Sequence, residues 1–554
     1  MTKRTPGAAT PETPGWVTEE TPDIHGAYPR LEEYQISELA AVGEQRAVGK
    51  GETLQRAGEP SDEFLVVLEG RVMVIQDVGS EQRVIAVHGP RRFLGDLGLL
   101  TGQPSFLTWV TEEAGRVLAV PIEALREIVP RDSLLADLIL RGFLVRRSLQ
   151  LTIGAGFTIV GSRFSADTRR LRDFAARNRL PHHWIDLEND DDAERLLRDL
   201  GIDRASTPVV LWRGRVLRNP GNEQLAELAG LRPATPPRSV CDLIVVGAGP
   251  AGLAAAVYGA SEGLATMVVD SVATGGQAGT SSRIENYLGF PAGISGSELA
   301  DRAVVQCRRF GADLVVPAGA EGLGMEEGHH VVRLDGGERV TGRAVVIASG
   351  VHYRRLEIPG LDSLEPTSVY YAATEVEASM CHGDPVVVVG GGNSAGQAAV
   401  FLSQSARQVT LVVRSNDLGR DMSRYLADRI EEIDQIRVLL HSEPRGVRGR
   451  RLLEEVVVED LGSAKRQSVP ARALFVFIGS VPQVQWLDDQ IELDEHGYLR
   501  TGSQLGPGHR LLETSRPGVF AAGDIRSGSV KRVAAAVGDG ALVVRLVHEY
   551  LAGN

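Results

Sequence analysis

The sequence predicts a multidomain chain in which a β-roll with helices and a small α/β insert precede two doubly wound α/β domains, each equipped to hold a dinucleotide. Three observations predict this. Two glycine-rich loops, Gly247-Ala248-Gly249-Pro250-Ala251-Gly252 and Gly390-Gly391-Gly392-Asn393-Ser394-Ala395, lie about 140 residues apart, each directly after a run of β-branched residues. From about 45 to 122 short alternating strands are broken by glycines, a roll or barrel pattern. From 155 to 231 strand and helix alternate, the pattern of a small α/β module.

Whole-chain properties set the class. A length of 554 residues suggests roughly three to four domains, and 43% hydrophobic with 24% charged is ordinary for a soluble globular protein. A net charge of −13, with Arg pairs scattered among acids, argues against a nucleic-acid partner. No apolar run approaches the ~20 residues that span a bilayer, and the N-terminus lacks the apolar core of a signal peptide. No membrane partner is therefore expected, and the expected location is cytoplasmic. The three cysteines, Cys241, Cys307 and Cys381, lie far apart with no C-x-x-C pair. They suggest neither a disulfide framework nor a metal site and read as small buried apolar residues.

Residues 1–25, rich in Thr, Pro, Gly and Glu, cannot bury enough apolar surface to offset their ordering entropy and read as a disordered leader. The roll contains Thr53-Leu54-Gln55, two strands at 63–70 and 71–75, and a further strand at 116–120. A helical stretch from Ile122 to about Leu151 closes it, with Leu134, Leu135, Leu138 and Ile139 at core-facing spacing. The text from Gly51-Glu52 through Gly58-Glu59-Pro60 to Glu69-Gly70-Arg71-Val72 resembles the cyclic-nucleotide-binding domain family and sets a domain at 26–152. That resemblance implies a Gly-Glu pair for a ribose and an arginine for the cyclic phosphate. Here Gly95-Asp96-Leu97 carries a shorter acid, and Pro104-Ser105 has serine where the arginine belongs. Enclosing a phosphate monoanion without its cation costs several kcal/mol. Unless Arg91 or Arg92 compensates, the domain is expected to bind no cyclic nucleotide and to serve a structural or partner-docking role.

The insert at 155–232 reads as a strand at Phe157-Thr158-Ile159-Val160, a helix from Thr168 to Asn178, a strand at 183–187, then Thr207-Pro208-Val209-Val210-Leu211. It resembles a small thioredoxin or glutaredoxin fold, and Thr207-Pro208 matches the cis-proline of that family. The redox loop reads Gly161-Ser162-Arg163-Phe164-Ser165, without sulfur, so no thiol exchange is expected there. Residues 233–237 read as a linker.

In the first glycine unit the strand Leu243-Ile244-Val245-Val246 feeds a turn that sets a helix N-terminus against a pyrophosphate. Gly247, Gly249 and Gly252, with Pro250 and Ala251, form the cradle. Asp270 ends the next strand, and a carboxylate there accepts ribose hydroxyls, which suits FAD or NAD. In the second unit Gly390, Gly392, Asn393, Ser394 and Ala395 form the cradle, and the following strand ends in Arg414-Ser415. A cationic fork at that point suits the 2′-phosphate of NADPH.

From Ser239 to Leu551 the chain resembles the thioredoxin reductase family of FAD- and NADPH-dependent oxidoreductases. The motifs that carry the likeness are Gly275-Gly276-Gln277, Ile284-Glu285-Asn286-Tyr287, Ala348-Ser349-Gly350, Gly479-Ser480-Val481-Pro482, Gly518-Val519-Phe520-Ala521-Ala522-Gly523-Asp524 and Lys531-Arg532-Val533. The resemblance implies two Rossmann-like domains: a discontinuous FAD domain at 239–364 and 480–554, and an NADPH domain at 365–479. It assigns the flavin to Gly275, Gly276, Gln277, Asn286, Ser349, Gly350, Gly523, Asp524, Lys531, Arg532 and Val533. It also implies a homodimer. Where the family has further arginines for NADPH, this chain offers Arg414 and then Arg420.

The departure with most consequence is in the redox centre. The family carries Cys-Ala-Thr-Cys before the second glycine loop, whereas this chain reads Tyr370-Tyr371-Ala372-Ala373-Thr374, with Tyr371 and Thr374 in the two cysteine places. Neither can form a mixed disulfide, so no catalytic residue is assigned there. Hydride transfer from NADPH to FAD needs only positioning and survives. The acceptor of the flavin's electrons is left open: a small oxidant such as a quinone, dioxygen, a ferredoxin-like carrier, or an external disulfide, with Cys381 near enough in sequence to reach toward the flavin. A sensor or scaffold that holds both nucleotides is the competing class, and reduction of thioredoxin through an external thiol a further one.

Overall fold

The protein is described here as a computed structural model covering residues 19–78, 81–128, 131–190, 193–231, 240–281, 283–450 and 452–553. Of the leader expected over 1–25, residues 1–18 lie outside the described residues, as does the linker read over 233–237; residues 19–25 are instead held against the roll, Thr21 donating its N–H to the Val87 oxygen at 3.1 Å and Glu20 pairing with Arg92 at 2.8 Å. The chain divides into two units, 1–156 and 157–554.

In the first unit, the two strands expected at 63–70 and 71–75 are one strand, Glu63–Val78. It bends at Gly70, whose φ is +79° and where a Cβ would lie 2.6 Å from the Glu113 carbonyl oxygen. Its partner is the long strand Thr108–Pro121, and the register between them shifts beside Gly70. Bulges of this kind let one strand turn the corner of a roll, so the glycine that read as a strand break is a bend. Strands Glu44–Val48, Thr53–Gln55, Glu81–His88 and Phe93–Leu94 complete a six-stranded antiparallel sheet around Phe64, Phe93 and Phe143, whose ring centres lie 5.3–6.3 Å apart. The single helix expected from Ile122 is two, Ile122–Ile128 and Ser133–Ile153. Asp132 caps the second through the Leu134 and Leu135 N–H groups, at 2.9 and 3.1 Å. That restart rotates the face: Leu135 and Ile139 are buried, but Leu134 is 69% exposed rather than in the core.

The second unit opens with a four-stranded sheet in the order Arg215–Arg218, Val209–Trp212, Phe157–Gly161, His182–Asp186. Only the pair Phe157–Gly161 and His182–Asp186 is parallel. Thr207-Pro208 is cis. The helix Ala166–Arg177 follows the first strand and starts at Ser165, whose hydroxyl accepts the Thr168 N–H.

Two Rossmann-like domains follow. The first is a seven-stranded sheet in which Cys241–Val246 lies between the parallel strands Thr266–Val269 and Arg339–Ile347, and the late strand Val519–Ala521 adds to the far side of Arg339–Ile347. Helix Pro250–Ser261 packs against helix Val533–Gly553 so closely that a Cβ on Gly540 would lie 2.2 Å from the Ala251 oxygen. The second is a five-stranded parallel sheet ordered Val369–Tyr370, Ala473–Val476, Pro385–Val389, Gln408–Val412, Ile436–Leu439. The chain crosses between the two at Val351–Tyr353 and returns at Ser480–Pro482, which pair antiparallel. Among the described residues no helix is long and apolar enough to cross a membrane.

Candidate functional site

Each glycine of the first loop has its own reason. Gly247 turns with φ +108°, and a Cβ there would lie 2.2 Å from the Ala348 oxygen. A Cβ on Gly252 would lie 1.8 Å from the Gly247 oxygen and would keep the helix off the strand. Gly249 differs: its backbone is extended, and a Cβ would meet only the Gly276 Cα, at 3.9 Å. No protein atom demands glycine at 249; close approach of a ligand does. Pro250 opens the helix at its first position, and Ala251 is buried. The second loop repeats the pattern. Gly390, φ +142°, would set a Cβ 2.4 Å from the Phe477 oxygen, whereas one on Gly392 would meet only the Asp421 oxygen at 3.9 Å.

The acids flanking the first loop play unequal parts. Asp270 Oδ2 accepts the Ala248 N–H at 2.8 Å, and Oδ1 accepts those of Val272 and Ala273 at 2.9 and 3.1 Å. A carboxylate has roughly four acceptor places, so Asp270 mainly shapes the loop and keeps one place for a ribose hydroxyl. Burial pushes its carboxyl up, against those three N–H groups. Asp524 is the reverse case: its Oδ1 is buried without a hydrogen-bond partner. Leaving such an acceptor unmet costs about 1–3 kcal/mol, which a ribityl hydroxyl would remove. Burial also pushes the Asp524 carboxyl up, while Lys531 pulls it down.

Several of the remaining residues read for the flavin are tied to one another or to the crossovers. Gly275 donates its N–H to the Ala248 oxygen at 2.7 Å, joining the loop of Gly275 and Gly276 to the first glycine loop. Gln277 donates to the Val351 oxygen. Ser349 donates to the Gln483 oxygen at 3.1 Å, and the Gln483 N–H donates to Gly350, so the two crossovers are tied. Gly523 donates to Asp539 at 3.0 Å and holds the turn before Asp524. Lys531 is turned to Tyr498, 2.7 Å from its hydroxyl. Arg532 is exposed, and Val533 opens the last helix. Asn286 is exposed and begins no helix.

On the nicotinamide side Ala395 is buried, and Asn393 is committed to structure, its Oδ1 accepting the Ser423 N–H at 2.7 Å. Ser394 hydrogen-bonds Tyr353 on the first crossover. Arg429 pairs with Glu285 at 3.0 Å and adds a second tie between the two domains. Arg414 and Arg420 are both exposed. The loop between them is tightened by Asp417, which accepts the Gly419 N–H at 2.9 Å.

The segment Tyr370-Tyr371-Ala372-Ala373-Thr374 is held by carboxylates. Tyr371 donates its hydroxyl to Glu365 at 2.9 Å, and Thr374 offers Glu377 both its N–H, at 2.7 Å, and its hydroxyl. Above them lies the helix Ala166–Arg177: Arg169 donates to the Glu365 and Val369 oxygens, each at 2.8 Å, and its guanidinium sits 4.5 Å from the Tyr370 ring centre. Cys381 does not reach toward the flavin. It is packed with Tyr370, Ala378 and Val386, donates to the Glu377 oxygen at 3.1 Å, and burial pushes its thiol up to about 12. Cys307 is buried with the same result, about 12.

In the first unit neither Arg91 nor Arg92 supplies the missing cation: Arg91 donates to the Leu31 oxygen and Arg92 pairs with Glu20. Asp96 caps the helix Leu97–Thr101, and Ser105 donates to Leu107. The cation the sequence reading missed is Arg146, which borders a cavity of about 130 Å³ together with Tyr28, His88, Asp96, Trp109 and Gln150. Its guanidinium donates to the Ala27, Gly95 and Phe93 oxygens at 2.7, 2.7 and 3.0 Å, and burial pushes it down to about 10. An arginine in an amphipathic helix reads as solvated; the small neighbour Gly142 and the aromatic Phe143 were the available signs of a buried face.

Residues 241–540 match the family described as pyridine nucleotide-disulphide oxidoreductase, and residues 45–132 match the cyclic nucleotide-binding domain. A thioredoxin reductase of Mycolicibacterium smegmatis is 34% identical over 304 residues, 55% of this chain and 94% of that protein. The 34.2 kDa protein in the rubredoxin operon of Clostridium pasteurianum is 31% identical over 313 residues, 56% of this chain and 98% of that protein. Among solved structures, a Lactococcus lactis thioredoxin reductase aligns with a TM-score of 0.53 at 25% identity, covering 57% of this chain and all of the other.

Proposed function

The chain belongs to the pyridine nucleotide-disulphide oxidoreductase family and is an NADPH-dependent flavin oxidoreductase, and from that premise we propose that its flavin delivers electrons to an acceptor other than an internal disulfide. The observation that carries the proposal is the redox segment, where Tyr371 and Thr374 are each held by a glutamate beneath the helix Ala166–Arg177. All three cysteines are buried. Burial pushes the Cys307 and Cys381 thiols up to about 12, which leaves little thiolate at neutral pH for attack on a flavin or a disulfide.

FAD bound at the first loop and NADPH at the second would supply the redox chemistry. The protein's part is placement. Gly249 and Gly276 leave room for a pyrophosphate, Asp270 keeps one acceptor place for a ribose, and Asp524 offers its unmet oxygen to the ribityl chain. The open backbone at Gly392 receives the second pyrophosphate, and Arg414, with Arg420 behind it, meets the 2′-phosphate. Arg414→Ala is expected to raise the KM for NADPH about tenfold or more, the worth of one charge-assisted hydrogen bond, and to leave NADH nearly unchanged. Equal loss with both nucleotides would assign Arg414 another role.

The strand order of the insert, its cis-proline, and serines in place of a dithiol support its reading as a redox-inactive thioredoxin-like module. Acceptors compatible with this site are a quinone or other small oxidant, dioxygen, a ferredoxin-like carrier, or an external disulfide docked by the N-terminal modules. The family likeness supports a homodimer. Stopped-flow mixing with NADPH tests the enzyme directly: rapid bleaching of the flavin, followed by steady-state turnover with a non-thiol acceptor from a panel, is the expected result. A flavin that stays oxidised would favour the nucleotide-holding scaffold.

A further inference from the structure

We propose that the helix Ala166–Arg177, with Asn178 and Arg179 behind it, is a strut that fixes the angle between the two Rossmann-like domains, and that Arg169 and Arg179 are positioning residues for electron transfer between the two nucleotides. The inference rests on the reading of the first cradle for FAD and of the second for NADPH. Its starting point is how slender the direct connection is. The chain passes from one domain to the other at Val351–Tyr353 and back at Ser480–Pro482, three residues on each strand. So short a pair of strands is a hinge unless contacts away from it hold the angle. The ion pair Arg429–Glu285 does so only weakly, since both side chains are partly exposed, at 44% and 28%.

The helix grips one domain at each end. Near its start Arg169 donates to the Glu365 and Val369 oxygens, each at 2.8 Å, with its guanidinium 4.5 Å from the Tyr370 ring centre. Val369 and Tyr370 are a strand of the second domain's sheet, and the helix that carries Glu365 buries Leu361 and Leu364 in that domain's core. The other grip lies about 15 Å further along, by the helical rise. There Asn178 donates to the Val272 oxygen at 3.0 Å, and Arg179 donates to the Thr274 oxygen and hydroxyl at 3.2 and 2.7 Å. Arg179 also pairs with Asp301 at 2.5 Å, both side chains nearly buried at 11% and 12% exposure. Val272 and Thr274 follow the strand Thr266–Val269 of the first domain, and Asp301 lies in its helix Gly296–Arg309. A guanidinium fork on two acceptors sets direction as well as distance. Both cradles lean on the crossover that this strut spans. A Cβ on Gly247 would lie 2.2 Å from the Ala348 oxygen, just before the crossover strand, and one on Gly390 would lie 2.4 Å from the Phe477 oxygen. The Phe477 ring in turn packs edge-on against Tyr353 of the crossover, with ring centres 5.6 Å apart. A swing about the crossover would therefore change the separation of the cradles, and transfer from nicotinamide to flavin depends steeply on that placement.

The test uses the full FAD-loaded chain with spin labels at Ser261→Cys and Lys465→Cys, exposed positions on the first and second domains, the native cysteines being buried. Pulsed electron resonance is expected to give one narrow label-to-label distance in this parent chain. Arg169→Ala should broaden it and slow the bleaching of the flavin by NADPH about tenfold or more, with the FAD content and the Kd for NADPH unchanged. Arg169→Lys, which keeps a donor for one of the two oxygens, should restore part of the rate and narrow the distance again. Arg179→Lys, which keeps a charge opposite Asp301 but gives up the fork on Thr274, should act in the same direction. The two changes together should be no worse than Arg169→Ala alone, because a strut released at one end holds nothing at the other. A parent-like distance and bleaching rate in Arg169→Ala would overturn the proposal, and so would effects at the two ends that add. A parent chain whose flavin NADPH does not bleach would instead overturn the nucleotide reading, and the distance measurement would still decide the strut.

Discussion

Gly249→Val is expected to yield folded, colourless protein that takes up no FAD on reconstitution. The structure makes this a clean test. A Cβ at 249 meets nothing closer than 3.9 Å, and the residue's backbone is extended, a conformation valine adopts readily. The isopropyl group would instead occupy the room left for the pyrophosphate. Affinity should fall by more than about a hundredfold, roughly 3 kcal/mol, with the melting temperature of the apoprotein close to wild type. Gly252→Ala makes the contrasting control, because its methyl would lie 1.8 Å from the Gly247 oxygen and should damage the fold itself. Gly392→Val should give the complementary phenotype: yellow protein, since the first loop is intact, that NADPH no longer bleaches. Yellow Gly249→Val protein with one FAD per chain would refute the assignment of the first cradle.

The two loops were legible in the sequence because glycine at fixed spacing after a β-branched run has few competing explanations. The same letters did not distinguish the glycines from one another. Gly247 and Gly252 answer to neighbouring backbone, whereas Gly249 answers to no protein atom, and only the positions of Ala348, Gly276 and the helix start separate the two cases. Asp270 shows another limit. Its place at a strand end was read as a ribose acceptor, but three of its acceptor places serve the loop's own N–H groups. Asn393, read for the nucleotide, also accepts the Ser423 N–H at its Oδ1. Local text does not reveal contacts made from distant segments. For the same reason Arg179 gave no sign that it donates to the Thr274 oxygen, 95 residues away. Arg146, buried in a helix that reads as amphipathic, gave little. The restart of that helix at Asp132 turned Leu134 to solvent, because an internal cap changes the phase of every residue after it.

Turnover with thioredoxin, or with a generic aromatic disulfide, is expected to be negligible even though the chain belongs to a disulphide reductase family. Disulfide reduction by exchange requires one thiolate to attack and a second thiol to resolve the mixed disulfide. Tyr371 and Thr374 contain no sulfur, and the nearest cysteine, Cys381, is 2% exposed with its thiol pushed up to about 12. Even if it were accessible, thiolate would be scarce at neutral pH, and a lone cysteine has no partner to complete the cycle. The segment is also held from within its own chain, since Arg169 of the helix Ala166–Arg177 binds the Glu365 and Val369 oxygens that precede it. A chain with serine at 241, 307 and 381 should therefore keep at least about half of its turnover with the best non-thiol acceptor, provided its FAD content is unchanged; Cys→Ser at buried sites costs stability, so FAD content and melting temperature must be measured alongside. A robust disulfide reductase activity that disappears in Cys381→Ser alone would mean that the buried thiol is uncovered during turnover and works with the flavin or with a partner's cysteine.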